Sequence, residues 1–143
     1  MNFRSKDVEF GTESEKNIIS DLRILFNDET ITKTPKIYDS FDFVGENKFI
    51  ELKTRRCKSN TYPTSIIGLN KFNNIDTSTN DYYLVFKFTD NILYCRYVES
   101  DFDKFEKKEI VRRDRGCIER GLYYCVPISY LQEYKSTSFF WKK

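Results

Sequence analysis

Tyr38 to Lys58, YDSFDFVGENKFIELKTRRCK, decides how the chain is read. Apolar and polar residues alternate up to Val44, Gly45-Glu46-Asn47 signal a turn, and alternation resumes near Lys48. That is the pattern of a β-hairpin. A loop over 45–48 sets Val44 opposite Phe49, Phe43 opposite Ile50, Asp42 opposite Glu51 and Phe41 opposite Leu52. Side chains alternate along a strand. Phe41, Phe43, Ile50 and Leu52 are therefore predicted on a core face, with Asp42, Glu51 and Lys53 on the other. Carboxylates directly opposite each other destabilise a sheet, and a divalent cation between them relieves the repulsion. The register carries this reading, because a slip of one residue separates the acids.

Upstream, Thr12-Glu13-Ser14-Glu15 fits a capping box at a helix start. Ile18, Ile19, Leu22, Leu25 and Phe26 follow at helical spacing, and Glu15 lies on their stripe. Glu15 serves either as the cap alone or also as an acid beside the hairpin site. Pro35 is expected before a strand running from about Lys36 to Val44.

Downstream, Arg55, Arg56 and Lys58 form a basic exit from the second hairpin strand. Ser65 to about Ile75 is read as a helix carrying Lys71, either a solvated lysine or a phosphate contact. Tyr82 to Phe88 is nearly continuous in apolar residues, as in a central strand buried on both faces. Ile92 to Val98 is expected to pair back on it. The charged run Glu99–Gly121 contains the cluster Arg112-Arg113-Asp114-Arg115, followed by a short strand over Leu122–Val126. Pro127 is placed at the start of a last helix through Ile128, Leu131 and Tyr134.

The chain has 143 residues, enough for one domain with a real core. Charged residues make up 32%, yet the net charge is +2, so any basic surface must come from local clustering. There is no histidine. Histidine triads, histidine general bases and histidine-ligated zinc are thereby excluded. The cysteines, Cys57, Cys95, Cys117 and Cys125, have no CxxC spacing. No signal peptide and no membrane-length apolar segment is read, so the expectation is an intracellular protein, in the cytoplasm or nucleus of a host cell if viral. Tyr123, Tyr124 and Phe139 to Trp141 suit either a homodimer surface or core packing.

The chemical constellation is Asp42, eight residues, then Glu51-Leu52-Lys53. Two carboxylates on adjacent strands suit Mg²⁺, with Mn²⁺ as a substitute. Lys53 projects from the same face as Glu51, where it can position a water or stabilise developing negative charge. With the upstream helix carrying Gly11-x-x-x-Glu15, this constellation resembles the PD-(D/E)xK nuclease superfamily. That superfamily includes restriction-endonuclease-like enzymes and archaeal-type Holliday junction resolvases. The resemblance spans about Gly11 to Phe88, in the order helix, strand, strand, helix, strand. Phe41 stands where the family has proline.

The resemblance implies a restriction-endonuclease-like α/β fold, a mixed central β-sheet flanked by helices with an α-β-β-β-α-β core. It further implies metal ligation by Asp42 and Glu51, a catalytic Lys53, and Glu15 as an accessory acid. Arg55, Arg56, Lys58 and Lys71 are the candidate contacts to DNA. The expected activity is Mg²⁺-dependent cleavage of DNA phosphodiesters, of endonuclease or junction-processing type. The alternative is a nucleic-acid-binding or assembly module that keeps the fold without cutting.

Overall fold

The computed structural model describes residues 18–35, 41–113 and 118–134. Its centre is a six-stranded mixed sheet, and a three-stranded antiparallel sheet lies against one face. Helix α1, residues 18–25, covers the other face. Ile18 and Leu22 are one turn apart and fully buried, which is what the predicted stripe requires. The helix stops at Asn27, whose φ of 49° is a left-handed conformation that asparagine tolerates.

The large sheet contains β1 (Thr32–Lys33), β2 (Phe43–Gly45), β3 (Lys48–Thr54), β5 (Asp81–Lys87), β6 (Ile92–Arg96) and β9 (Gln132–Glu133), ordered β1-β2-β3-β5-β6-β9. Only β3 and β5 run parallel. Strand β5 is central, as its composition predicts: Val85 packs on the α1 side, while Leu84 and Phe86 enter the core between the sheets. The small sheet is β4 (Thr64–Gly68), β8 (Glu119–Pro127) and β7 (Lys107–Arg112), in that order. A short helix α2 (Glu99–Phe102) buries Phe102 at its end. The inter-sheet core is aromatic, with Phe72 stacked on Tyr97 at 4.1 Å between ring centroids.

Several expectations are corrected. Residues 65–75 are not an α-helix. Thr64–Gly68 is a strand and Leu69–Phe72 a 3₁₀ turn. Pairing of Ile66 with Cys125 and Ile67 with Tyr124 outweighs a weak helical pattern already interrupted by Gly68. The large sheet is thus flanked by a helix on one face and by a second sheet on the other, and the expected α-β-β-β-α-β order does not hold. Pro127 closes β8 instead of opening a helix, and Ile128–Tyr130 is a 3₁₀ turn before β9. Tyr124 is core, 7% exposed, so it offers no dimer surface. The segment 36–40 and Phe139 to Trp141 lie outside the described residues. Cys57, Cys95 and Cys125 are free thiols. Among the described residues, no helix is long and apolar enough to cross a membrane.

Candidate functional site

The hairpin has the predicted register: Phe43 pairs with Ile50 and Val44 with Phe49. The turn is tighter than the expected four residues, because Gly45 also pairs with Lys48. Glu46 and Asn47 form its tip, Asn47 at φ 54°. One buried carboxylate holds this turn. Asp28 Oδ2 accepts from the Glu46 N–H at 2.9 Å and from Lys48 Nζ at 2.7 Å. Its Oδ1 accepts from the Thr30 N–H. These bonds overcome the effect of burial and hold the Asp28 carboxyl well below the usual carboxylate range. A Cβ on Gly45 would stand 2.6 Å from Asp28 Oδ2, so the glycine allows the close approach.

Strand β2 begins only at Phe43, one residue after Asp42. The chain bends there, and Phe41 turns to the inter-sheet core beside Phe49, Tyr82 and Phe72. The expectation that Phe41 shares a face with Phe43, Ile50 and Leu52 fails for that reason. The bend leaves the Leu52 N–H without a backbone carbonyl from β2. Asp42 supplies the acceptor with its side chain, Leu52 N donating to Oδ2 at 2.9 Å.

Glu51 points from β3 toward the small sheet and is 3% exposed. Its Oε2 meets two ammonium groups, Lys53 Nζ at 3.2 Å and Lys71 Nζ at 3.1 Å. Its Oε1 is buried with no hydrogen-bond partner among the described residues. Burial raises the Glu51 pKa, and the Asp42 charge raises it further, against the opposing pull of Lys71 and Lys53. The 3₁₀ turn Leu69–Phe72 sets Lys71 over Glu51, with its ammonium also 5.7 Å from the centre of the Phe41 ring. A helical reading of 65–75 concealed this placement.

Asp42, Glu51, Lys53 and Lys71 are thus brought together. Arg55 is adjacent but committed to the fold. Its Nε donates to Ser65 Oγ at 3.2 Å and its Nη2 to the Ile66 carbonyl at 2.8 Å, tying β3 to β4. Arg56 and Lys58 are exposed in the turn beyond. Glu15 lies outside the described residues. A cleft of about 350 Å³ opens beside the cluster, lined by Lys53, Arg55, Lys71, Leu122 and Tyr123 among others. No group of three or more acidic, cysteine or histidine side chains arranged for a metal occurs among the described residues. Two carboxylates do fit Mg²⁺, which commonly takes one or two carboxylates and completes its shell with water and substrate phosphate. The orphaned Glu51 Oε1 is the oxygen such a cation would satisfy. Comparison with protein-family models, curated proteins and solved structures gives no match to this chain.

Proposed function

We propose that the protein is a Mg²⁺-dependent nuclease hydrolysing DNA phosphodiester bonds, with the restriction-endonuclease-like arrangement that the hairpin motif resembles. The observation that carries the reading is Glu51. It is a buried carboxylate with one oxygen unpartnered among the described residues, coupled to Asp42 and flanked by two lysines. A buried carboxylate oxygen without a hydrogen bond is costly, and such cost concentrates at functional sites. Asp42 and Glu51 would hold the cation. When bound, it lowers the pKa of a water and neutralises phosphoryl charge.

The chain's own residues do the rest. Lys53, on the same face as Glu51 and partly exposed to the cleft, donates to a phosphoryl oxygen as negative charge develops. Lys71 shares the work from the opposite side, and its contact with Glu51 favours the charged form of that buried carboxylate against the effect of burial. Arg56 and Lys58 lie beyond the strand end, where they attract a phosphate backbone without reading bases.

The test is cleavage of linear duplex, branched and single-stranded DNA in Mg²⁺ and in Mn²⁺, with Glu51→Gln, Asp42→Asn and Lys53→Ala alongside the native protein. Cleavage by the native chain and at least a hundredfold loss in each variant are expected (about 3 kcal/mol of barrier). Undiminished cleavage by Glu51→Gln would overturn the proposal. One observation favours a second reading, a binding module that does not cut. The formal charges of Asp42, Glu51, Lys53 and Lys71, two acids and two lysines, already balance without a cation. Tight DNA binding with no cleavage under any of these conditions selects that reading.

A further inference from the structure

Strand β8 is paired on both sides only at Tyr123 and Tyr124. Its last pairing with β4 is Tyr123 with Gly68. Toward the chain's start it pairs with β7 alone: Leu122 with Glu109, Val111 with Arg120, and Arg112 with Glu119. A two-stranded ribbon therefore extends beyond the small sheet. Paired residues share a face. The face that carries Lys107 and Tyr124, core at that point, continues outward through Glu109, Leu122, Val111 and Arg120. There the large sheet no longer lies beneath it. Leu122 is 53% and Val111 44% exposed, and Ile118, just before β8, is 68% exposed.

An uncovered apolar ribbon is marginal in water, and this one is also the basic part of the molecule. Over 107–113 and 118–120 the sequence has Lys107, Lys108, Arg112, Arg113 and Arg120 against Glu109 and Glu119. The whole chain has 24 basic and 22 acidic residues, so the remainder has 19 against 20. The positive excess of the protein thus resides on the ribbon. Leu122 also lines the cleft that holds Lys53 and Lys71, so ribbon and candidate site open on one side.

We infer that the β7–β8 ribbon is a DNA-binding arm that lies in the groove of a B-form duplex whose backbone reaches Lys53 and Lys71. The inference rests on the nuclease reading for its substrate and adds that the substrate is double-stranded DNA. The major groove of B-DNA admits a two-stranded ribbon, whereas that of A-form RNA is too deep and narrow. Arg120 and Arg113 contact phosphates, while Val111 and Leu122 pack against the groove wall.

The experiment is equilibrium binding of the full chain to a short fluorescent DNA duplex in EDTA, so that cleavage does not interfere. Competition with single-stranded DNA and duplex RNA is measured over a range of salt. Duplex DNA is expected to bind tightest. Arg113→Ala/Arg120→Ala should weaken it and reduce the slope of log K against log salt by about 1.8, some 0.9 for each lost phosphate contact. Val111→Ser/Leu122→Ser should weaken binding several-fold with the slope unchanged. Unchanged affinity and slope in the double arginine variant overturn the arm, and leave the nuclease reading standing if DNA is still cut in Mg²⁺. Arm-dependent duplex binding without cleavage upholds the arm and overturns the nuclease. Equal binding of duplex RNA overturns the groove assignment. A Val111/Leu122 variant that changes sedimentation and not DNA affinity shows that a second copy covers the face, which also overturns it.

Discussion

Asp42 accepts the Leu52 backbone N–H at 2.9 Å, a side chain standing in for the carbonyl that a longer β2 would have supplied. The bond anchors the carboxylate beside Glu51, whose pKa feels its charge. One residue thereby braces the edge of the hairpin and builds the candidate site. Asp42→Ala should destabilise the fold by about 1–2 kcal/mol, because a half-buried donor is left unpaired. Asp42→Asn keeps an acceptor oxygen and should stay within about 1 kcal/mol of the native protein while losing divalent-cation affinity. Urea denaturation and Mn²⁺ titration separate the two effects. Equal stability of the alanine and asparagine variants would show that the bond contributes nothing.

Glu51 gives a pH signature. Its carboxyl is held above the ordinary glutamate value of 4.5, by burial first and by Asp42 second. The folded state thus binds this proton more tightly than the unfolded chain does. The group's contribution to stability is fully present below about pH 4.5 and is lost as pH rises through the raised value. Glu51→Gln cannot ionise, so it should gain on the native protein as pH increases above 4.5. Lys71→Met removes one of the two ammonium groups and should move the transition to higher pH. Denaturation curves taken from pH 4 to pH 8 check this, and parallel stabilities across that range would refute it.

Asp28 has the opposite sign. Its carboxyl lies below the ordinary value of 3.8, so its contribution is present above that pH and is lost as pH falls through the lowered value. Asp28→Ala frees the Glu46 N–H and Lys48 together and should cost about 3 kcal/mol at neutral pH. Gly45→Ala forces a Cβ toward the same carboxylate, at 2.6 Å, and should cost about 1–3 kcal/mol. Thermal unfolding measures both, and a neutral Gly45→Ala would mean that the turn relaxes freely.

Arg55 and Arg56 should separate by what each variant loses. Arg55→Ala breaks two bonds to β4 and should destabilise by about 1–3 kcal/mol. Arg56→Ala and Lys58→Ala alter exposed side chains and should leave stability within about 0.5 kcal/mol. The latter pair should instead flatten the salt dependence of DNA binding. Melting temperatures paired with salt titrations decide; a thermally silent Arg55→Ala would deny it the bracing role.

Local chemistry alone determined the hairpin pairing, the central place of Tyr82 to Phe88 and the stripe of the first helix. In the hairpin, residues close in sequence carry both the pattern and the contact, as when Phe43 meets Ile50 across a two-residue turn, and in the other two the local pattern fixes which side chains are buried, whatever buries them. The common face of Glu51 and Lys53 was legible for the same reason, since alternation along one strand needs no partner. Three features were decided only by tertiary structure. Thr64–Gly68 became a strand because β8, more than fifty residues later, offered a ladder for it. Phe41 left its strand because the inter-sheet core of Phe49, Tyr82 and Phe72 buries it better than the α1 face. Lys71 reached Glu51 because a tight 3₁₀ turn, and not a helix, follows β4. Distant pairings and burial outweigh propensities of a few tenths of a kcal/mol per residue, and no local window of sequence contains them.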